Sequence, residues 1–144
     1  MIIPDVNLLI YATDELSAHH APAHRWWSAT LNRHEAIGLP WATSLAFIRL
    51  TTNPRVFLTP LQSRQAVDVV RGWLSRPQVV PVEPTARHLD LVAGLLDETG
   101  TAGNLVTDAH LAVLAIEHGA VLYSADADFS RFAGLTWVNP LNAG

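Results

Sequence analysis

Short apolar segments that favour β-strands alternate with longer amphipathic segments, and this alternation is the strongest constraint on the fold of the chain. Strands are predicted at Met1–Pro4, Ala36–Pro40, Val79–Val82, Ala120–Ser124 and Thr136–Asn139. Helices are predicted between them at Asn7–Ala12, Ser17–Asn32, Thr43–Thr52, Pro60–Ser75, Thr85–Thr99 and Asn104–His118. Strands that alternate with helices predict an α/β fold, in which a parallel sheet carries helices on both faces.

Capping and turn residues mark several of the predicted helix ends. Pro60 is expected in the first turn of its helix, and Thr85 is expected as an N-cap. Gly100 and Gly119 each follow a helical segment, as glycines that end helices do. No repeat, low-complexity segment or linker interrupts the pattern, so we expect residues 1–144 to form a single domain.

The composition narrows the class of protein. The chain has no cysteine, which excludes disulfides and thiolate metal sites. Its apolar start lacks a basic segment and a cleavage site, so we predict a core strand and helix there rather than a signal peptide. No run approaches the ~20 apolar residues that span a bilayer. We therefore expect a cytoplasmic protein.

The charge balance bears on nucleic-acid binding. The 13 acidic and 9 basic residues give a net charge of −4, which argues against binding through a broad basic face. This balance does not exclude an enzyme that meets phosphates through a metal ion. An apolar fraction of 49% predicts either a rich core or an exposed patch that contacts a partner or a second copy.

Carboxylates follow two of the predicted strands and begin the helix that leads into the second of them. Asp5 ends the first strand, and Asp126 and Asp128, in "YSADADF", end the fourth. Asp108 lies near the start of the helix before that fourth strand, and Asn104 shares its helix face. Because ligands of parallel α/β sheets bind beyond the carboxyl ends of the strands, we expect these acids at one edge of the sheet.

This acidic edge indicates a metal site. Crowded carboxylates raise one another's pKa unless a cation lies among them. An all-oxygen ligand set favours Mg²⁺ or Mn²⁺ and suits metal-assisted hydrolysis of phosphodiesters. Each acid also has an ordinary explanation: Asp5 as a helix cap, Asp126 and Asp128 as turn residues, and Asp108 as a favourable charge at a helix start. The joint placement at strand ends favours the metal site.

A resemblance to a known family rests on four segments: "MIIPDVNLLIYA", "AFIRLTTNPRVF", "GNLVTDAHLAVLAIEHGAVLYSADADF" and "FAGLTWVNPL". Together they run from Met1 to Leu141. They resemble a PIN domain and, more narrowly, the VapC-type toxin ribonucleases of bacterial toxin–antitoxin pairs. The third segment, with an aspartate near its start and D-x-D-F at its end, is the most specific.

The resemblance carries expectations for fold, activity and partners. It implies a five-stranded parallel sheet in the order 3-2-1-4-5 and a Mg²⁺- or Mn²⁺-dependent endoribonuclease that acts on RNA. It also implies a cognate VapB-type antitoxin that covers the active site, and a homodimer. It places the metal ligands at Asp5, Asp108 and Asp126, with Asp128 assisting. Asn7, two residues after the first acid, is expected to orient the Asp5 carboxylate or a bound water.

The chain departs from the family pattern at one place. The family's second acid, usually a glutamate, falls in the helix after the second strand, where this chain has "WATSLAFIRLTT" and no acid. Ala46 occupies the expected position. Asp128 is one candidate to compensate, and Thr43 or Ser44 are candidates to bring in a ligand through water. The alternatives of weaker metal binding and of a catalytically weakened chain follow from this gap.

Arginine supplies every fixed positive side-chain charge, since the chain has no lysine. Arg49 and Arg55 flank the "TTNPR" join, and Arg131 follows the D-x-D-F segment. Each has two interpretations, as a phosphate contact near the site or as a solvated structural arginine. The structural interpretation is favoured for all three.

Histidines and tryptophans raise weaker alternatives. His20 and His24 are four apart on a predicted helix, which fits either a metal pair or a plain surface helix, and the surface helix is favoured. His110 lies two residues after Asp108, so it is expected on a different helix face and not as a catalytic base. Trp26 and Trp27 fit base stacking or packing, and packing is favoured.

Two rival functions are weighed against the ribonuclease. A haloacid-dehalogenase-type phosphatase also uses an aspartate after its first strand, but it wants a second acid where Asn7 stands and a downstream lysine. A degenerate PIN domain that binds RNA or protein without cutting is the rival of another class. The missing acid at Ala46 supports that rival, and the presence of Asp5, Asp108 and Asp126 opposes it.

Overall fold

A five-stranded parallel sheet organises the chain, in the order β3-β2-β1-β4-β5. The computed structural model describes residues 1–100 and 103–142, apart from the side chain of Asn104. The strands are β1 (Ile2–Pro4), β2 (Ile37–Gly38), β3 (Val79–Val80), β4 (Val121–Tyr123) and β5 (Trp137–Val138). The expected α/β class and strand order are confirmed, although each strand is shorter than its predicted segment.

Helices connect the strands at the predicted places. They are α1 (Val6–Thr13), α2 (His20–Leu31), α3 (Trp41–Thr51), α4 (Ser63–Leu74), α5 (His88–Thr99) and α6 (Val106–Glu117). Short 3₁₀ segments lie at Gly103–Leu105, Ala127–Arg131 and Pro140–Asn142. The expected sharing of one helix face by Asn104 and Asp108 falls outside the described residues.

Two predicted helix starts are wrong, because both helices begin later than predicted. The helix α4 begins after Pro60, and Gln65 Oε1 accepts a hydrogen bond from the backbone N–H of Gln62 at 2.9 Å. Thr85 precedes α5 by an extra turn, in which its hydroxyl oxygen accepts from the N–H of Arg87 at 3.2 Å. The bond at α4 belongs to a capping box around Gln62, whereas the bond at Thr85 closes a separate turn before the first residue of α5. The left-handed glycines are confirmed at Gly100 and Gly119.

Apolar side chains cover both faces of the sheet. On one face Ile3 and Leu122 pack with α5 and α6, and on the other face Ile37 and Val79 pack with α1 to α4. Phe47 is completely buried among the second group. The inner strands β1 and β4 are therefore covered on both faces, and the acids that follow them lie at the boundary between a dry core and solvent.

Strand pairing decides what meets at the carboxyl edge of the sheet. The central strand β1 pairs with β4, so that Pro4 lies opposite Tyr123. The next residue on each strand is Asp5 on one side and Ser124 on the other.

No helix in residues 1–100 and 103–142 is long and apolar enough to cross a membrane.

Gly38 supplies a stability test of this sheet. A Cβ there would lie 2.8 Å from Val82 Cγ1 and 2.9 Å from Met1 Sδ. We expect Gly38→Ala to lower the free energy of unfolding by about 1–3 kcal/mol, because overpacking displaces buried side chains. Urea denaturation measures the change.

The matched control is Gly72→Ala. Nothing lies within 4 Å of a Cβ at Gly72, which is inside α4. The control should raise stability by about 0.5–1 kcal/mol, because alanine favours a helix more than glycine does. Equal effects of the two substitutions would contradict the close approach at Gly38.

Candidate functional site

Three separate segments bring aspartates to the carboxyl edge of the sheet. Asp5 follows β1 and is the N-cap of α1, and its backbone N–H donates to the carbonyl of Tyr123 at 2.8 Å. Asp126 follows β4 and caps a 3₁₀ segment. Asp108 lies in the first turn of α6. The capping interpretation of Asp5 and the turn interpretation of Asp126 are therefore both correct, and they coexist with membership of the acidic cluster.

Ser124 connects these segments through its side chain. The residue is fully buried, and its hydroxyl donates to Asp5 Oδ2 at 2.7 Å. The hydroxyl oxygen of Ser124 also accepts a hydrogen bond from Asn7 Nδ2 at 3.3 Å and one from the backbone N–H of Asp126 at 3.0 Å. Sequence reasoning assigns Ser124 only to the end of a strand. The signal for its role is a small hydroxyl side chain between that strand and Asp126.

Asn7 acts on the cluster indirectly. Its amide nitrogen donates to Ser124, and its amide oxygen faces the backbone N–H of Ala125 at 3.5 Å. The structure therefore places Ser124 between Asn7 and the Asp5 carboxylate. We interpret Asn7 as a residue that holds the turn after β4 against the start of α1.

The Asp5 carboxylate is held by two donors in a buried place. Oδ1 accepts from the N–H of Val6 at 2.7 Å, while Oδ2 accepts from Ser124. Burial is the largest influence and raises the pKa of Asp5; the two hydrogen bonds oppose it, and Asp126 adds a small increase. The net direction is upward, so the folded protein favours the protonated acid more than water does.

Asp108 shows the strongest sign of crowding. Burial, followed by the charges of Asp126, Asp5 and Asp128, raises its pKa from 3.8 to about 6. None of the ion pairs in the described part of the chain includes Asp108, Asp5 or Asp126. Asp5, Asp108 and Asp126 thus concentrate negative charge without an ion-paired side chain of their own.

Asp128 lies at the exposed margin of the cluster. Its backbone N–H donates to Asp126 Oδ1 at 2.9 Å, and its carboxylate lies 3.6 Å from the guanidinium of Arg131. Both side chains are half exposed, so this pair contributes little to stability. Asp128 therefore adds negative charge near Asp108, and its own carboxylate forms an exposed ion pair with Arg131.

A small cavity lies beside the acids and includes the position of the missing one. Its volume is about 60 Å³, and its lining residues are Asp5, Val6, Ala42, Thr43, Ala46, Thr107, Asp108, His110 and Leu111. Ala46 therefore faces the space beside Asp5 and Asp108, where a longer acidic side chain would reach them. Thr43 also lines the cavity, whereas Ser44 does not. Between these two candidates for a water-mediated ligand, the geometry favours Thr43.

The oxygen ligands of the acidic cluster are of the type that binds a hard divalent cation, but they stand too far apart to hold one directly. These oxygens come from carboxylates whose crowding a cation would relieve. In residues 1–100 and 103–142, no three histidine, cysteine or acidic side chains stand close enough together to hold one ion. An ion here would need water ligands or a small movement of the acids, as suits Mg²⁺, which keeps several waters.

His110 lines the same cavity as Asp108. Sharing a cavity does not test whether the two side chains leave the helix on different faces, so that expectation stays a prediction. His110 Nδ1 lies 2.8 Å from His88 Nε2, in a contact between α6 and α5.

The remaining aromatic candidates are involved in packing. Trp27 is 5% exposed and meets Trp73 edge to face, with ring centroids 5.6 Å apart. Trp26 stacks on Tyr123. His20 binds the carbonyl oxygen of Tyr11 through Nδ1 at 2.9 Å.

Arg49 and Arg55 are exposed on α3 and in the loop after it. Arg49 continues the stripe of α3 that Ala42 and Ala46 begin. A phosphate contact by either arginine stays a prediction.

Comparison with known proteins identifies the family. The PIN domain family model matches residues 2–135. Ribonuclease VapC33 of Mycobacterium tuberculosis is 47% identical, over 98% of this chain and 99% of the relative. Ribonuclease VapC37 of the same organism is 45% identical, over 97% of each. The chain therefore belongs to the PIN domain family and, within it, to the VapC-type members.

A solved structure agrees with the fold. VapBC2 from Rickettsia felis, bound to a DNA fragment from their promoter, matches with a TM-score of 0.68 at 18% identity. The match covers 96% of this chain and 98% of that one. Membership of the PIN family decides against the phosphatase alternative.

The raised pKa of Asp108 gives a pH test of the cluster. Because the folded chain binds this proton more tightly than the unfolded chain, metal-free protein should lose stability as pH rises from about 4 to about 6. We expect Asp108→Asn to be more stable than the parent above that window and equal to it below. Urea denaturation across the pH range measures the difference.

The control for this test is Asp97→Asn, an exposed acid near the end of α5 and outside the cluster. It should not reproduce the pH-dependent gain. A constant offset between Asp108→Asn and the parent at all pH values would contradict the crowding of the acids.

Proposed function

We propose that this chain is a metal-dependent endoribonuclease and the toxin of a toxin–antitoxin pair. The observation that carries the proposal is the cluster of Asp5, Asp108 and Asp126, from three separate segments, at the carboxyl edge of the sheet. The rise in the pKa of Asp108 to about 6, caused first by burial and then by the charges of Asp126, Asp5 and Asp128, supports the proposal. Two relatives named ribonuclease, each at 45% identity or more over nearly the whole chain, supply the reaction class.

The metal is the next part of the proposal. Asp5, Asp108 and Asp126 would hold Mg²⁺ or Mn²⁺ directly or through water, with Asp128 assisting. A divalent ion supplies charge neutralisation on a phosphodiester and makes water more acidic. The proposed donors are all oxygens, which is the ligand type that Mg²⁺ prefers.

The chain's own residues prepare this site. Ser124 and the N–H of Val6 fix both oxygens of Asp5, so that its carboxylate needs little reorganisation. Asn7 fixes Ser124 and the turn before Asp126. Partial burial of Asp5, Asp108 and Asp126 lessens the screening of their charges by water, which favours an incoming cation.

The proposal also includes two protein partners, an antitoxin and a second copy of the chain. The likeness to a VapBC complex suggests a VapB-type antitoxin. An apolar groove of about 430 Å³ between α3 and α4 is a candidate contact surface, lined by Trp41, Ile48, Val67, Val70, Arg71, Leu74 and Ser75. A homodimer stays a prediction. A single PIN domain over residues 1–144 also stays a prediction, and the family match to residues 2–135 supports it.

A non-catalytic RNA- or protein-binding module is the alternative. Its specific support is Ala46, which leaves the cavity beside Asp5 and Asp108 without the family's second acid. A binding module would retain RNA affinity without cleavage, so one assay separates the two functions.

That assay is cleavage of a mixed RNA pool by purified, antitoxin-free protein in Mn²⁺. We expect Asp5→Asn and Asp108→Asn each to lower the rate by at least about 100-fold, because each removes a charge that holds the ion. Asparagine is chosen at position 5 because it still caps a helix. Gel analysis of the pool after timed incubation gives the rates.

Asp97→Asn, the exposed acid on α5, should cut at the rate of the parent. If the parent cuts no faster than the two cluster variants, the ribonuclease proposal fails and the binding module remains.

The gap at Ala46 gives a separate test of the metal. We expect Ala46→Glu to lower by about tenfold the Mn²⁺ concentration that half-saturates thermal stabilisation, because it adds a carboxylate beside Asp5 and Asp108. Thermal unfolding over a Mn²⁺ series measures this concentration without any RNA.

Leu45→Glu is the matched control, since Leu45 is 59% exposed on the same helix and does not line the cavity. Equal Mn²⁺ dependence in both variants would place the ion away from this cavity.

A further inference from the structure

A buried hydroxyl on α3 lies beside the acidic cavity. Thr43 is 4% exposed, and it lines the cavity together with Asp5, Asp108 and Ala46. Its hydroxyl makes no hydrogen bond to any residue that the structure describes. Because a buried polar group without a partner is costly, we expect this hydroxyl to bind a group that enters the cavity.

The position of Thr43 in its helix removes the usual local partners of a buried hydroxyl. The buried threonines Thr30 and Thr51 each donate to the carbonyl four residues earlier, at 2.8 and 2.7 Å. Thr43 is the third residue of α3, so the corresponding carbonyl belongs to Leu39, which precedes the helix. A third residue can also bond to the N–H of the N-cap, but the N-cap is Pro40, which has no N–H. The hydroxyl is therefore left for a group outside the backbone of α3.

Solvent reaches the Thr43 hydroxyl from the cavity. Within residues 1–100 and 103–142, the inaccessible side-chain atoms without a hydrogen bond are Trp26 Nε1 and Trp27 Nε1. Thr43 Oγ1 also lacks a hydrogen bond there but is not one of them, so it retains contact with open space. The open space that Thr43 lines is the cavity, which the adjacent Ser44 does not line. The hydroxyl of Thr43 is therefore directed into the cavity.

Water fits this place in size and in chemistry. The cavity has a volume of about 60 Å³. One water molecule takes up about 30 Å³ in the liquid, and a buried one needs at least about two polar partners. A hydroxyl both donates and accepts, whereas the ionised carboxylates of Asp5 and Asp108 accept. A water molecule in the cavity can therefore bond to Thr43 and to an acid at the same time.

Two other polar residues that line the cavity are less suited to hold this water. Thr107 is exposed, so bulk solvent supplies a partner for its hydroxyl. His110 is engaged by the neighbouring helix, since its Nδ1 lies 2.8 Å from Nε2 of His88. Of the two hydroxyls in the lining, that of Thr43 is the buried one.

The water would lie where the chain lacks an acid. Thr43 and Ala46 are three residues apart on α3 and share a helix face. In the described ranges 1–100 and 103–142, no three acidic or histidine side chains come close enough together to hold one ion. Water ligands close such a gap, and Mg²⁺ usually keeps several of them. A water fixed by Thr43 is thus a neutral substitute for the carboxylate that Ala46 does not bring.

We propose that Thr43 is a positioning residue whose hydroxyl holds a water molecule beside Asp5 and Asp108. This water is a ligand of the divalent ion and takes the place of the family's second acid. The ion itself rests on the proposed function. The water site rests on the buried hydroxyl and on the cavity that it faces.

Thr43→Val tests the proposal because it is nearly isosteric and removes the hydroxyl. We expect it to raise by about tenfold the Mn²⁺ concentration that half-saturates thermal stabilisation, because loss of a group that orients a metal ligand costs about 10–100-fold in affinity. Thr43→Ser keeps a hydroxyl and should stay near the parent value. Thermal unfolding over a Mn²⁺ series measures these concentrations without RNA.

The matched control is Thr51→Val, the same substitution at another buried position of α3. The hydroxyl of Thr51 donates to the carbonyl of Phe47, and Thr51 does not line the cavity. The control should lower the melting temperature and leave the Mn²⁺ concentration unchanged. Thr107→Val should also leave it unchanged.

A double substitution tests whether the water and the missing acid occupy the same place. The carboxylate of Ala46→Glu would displace the water that Thr43 holds. In the Ala46→Glu chain we therefore expect Thr43→Val to change the Mn²⁺ concentration by less than about twofold, because two groups that share one place are not additive.

The crystal structure of the parent with Mn²⁺ supplies a readout that needs no variant. An ordered water should lie within hydrogen-bond distance of Thr43 Oγ1 and coordinate the ion. An ion bound in this cavity with no water at Thr43 would overturn the proposal.

The Mn²⁺ series separates this proposal from the proposed function. Equal Mn²⁺ dependence in the parent and Thr43→Val overturns the role of Thr43 alone, as does an equal loss in Thr43→Ser or Thr107→Val. An additive effect with Ala46→Glu also overturns it. A parent that Mn²⁺ does not stabilise overturns both this role and the metal site. Failure to cut RNA, with every Mn²⁺ result as expected, counts against the ribonuclease and supports the role of Thr43.

Discussion

The parallel pairing of β1 with β4 is the constraint on which the candidate site depends. It sets Pro4 opposite Tyr123, so the residues that follow, Asp5 and Ser124, emerge side by side. The 2.7 Å hydrogen bond between them joins the first segment of the chain to one that is 119 residues later. Asp126 follows from the same turn, because its N–H binds Ser124. A change in strand register would separate all of these groups at once.

Ionisation of the crowded acids destabilises the folded chain at the carboxyl edge of the sheet. Asp5 and Asp108 both have raised pKa values because burial and neighbouring charge oppose ionisation. Proteins commonly keep such destabilising arrangements where a ligand relieves them. Ala46 limits the repulsion between acids, since a further carboxylate at this position would add to that repulsion in the metal-free chain. Because Ala46 brings no carboxylate, Asp5 and Asp108 are the acids that line the cavity.

Much of the fold and part of the site were predictable, for identifiable reasons. Strands and helices follow from hydrophobic periodicity, and the acids at strand ends follow from the general position of sites in parallel sheets. The predicted starts of α4 and α5 were too early, because a capping box at Gln62 and a turn at Thr85 set where the two helices begin. The contact of His110 with His88 was not predictable, because it depends on how α6 packs against α5.

By itself the sequence determined the α/β class, the order of elements and three of the acids, because these depend on local periodicity and on the ends of strands. Only the tertiary structure decided that Ser124 bridges Asp5 and Asp126, that Ala46 faces the cavity and that His88 connects Glu117 to His110. The contact of His88 with His110 joins residues 22 positions apart, and that of Ser124 with Asp5 joins residues 119 positions apart. They arise from strand register and helix packing, and no local pattern in the chain encodes a distance between two side chains that only the folded core brings together.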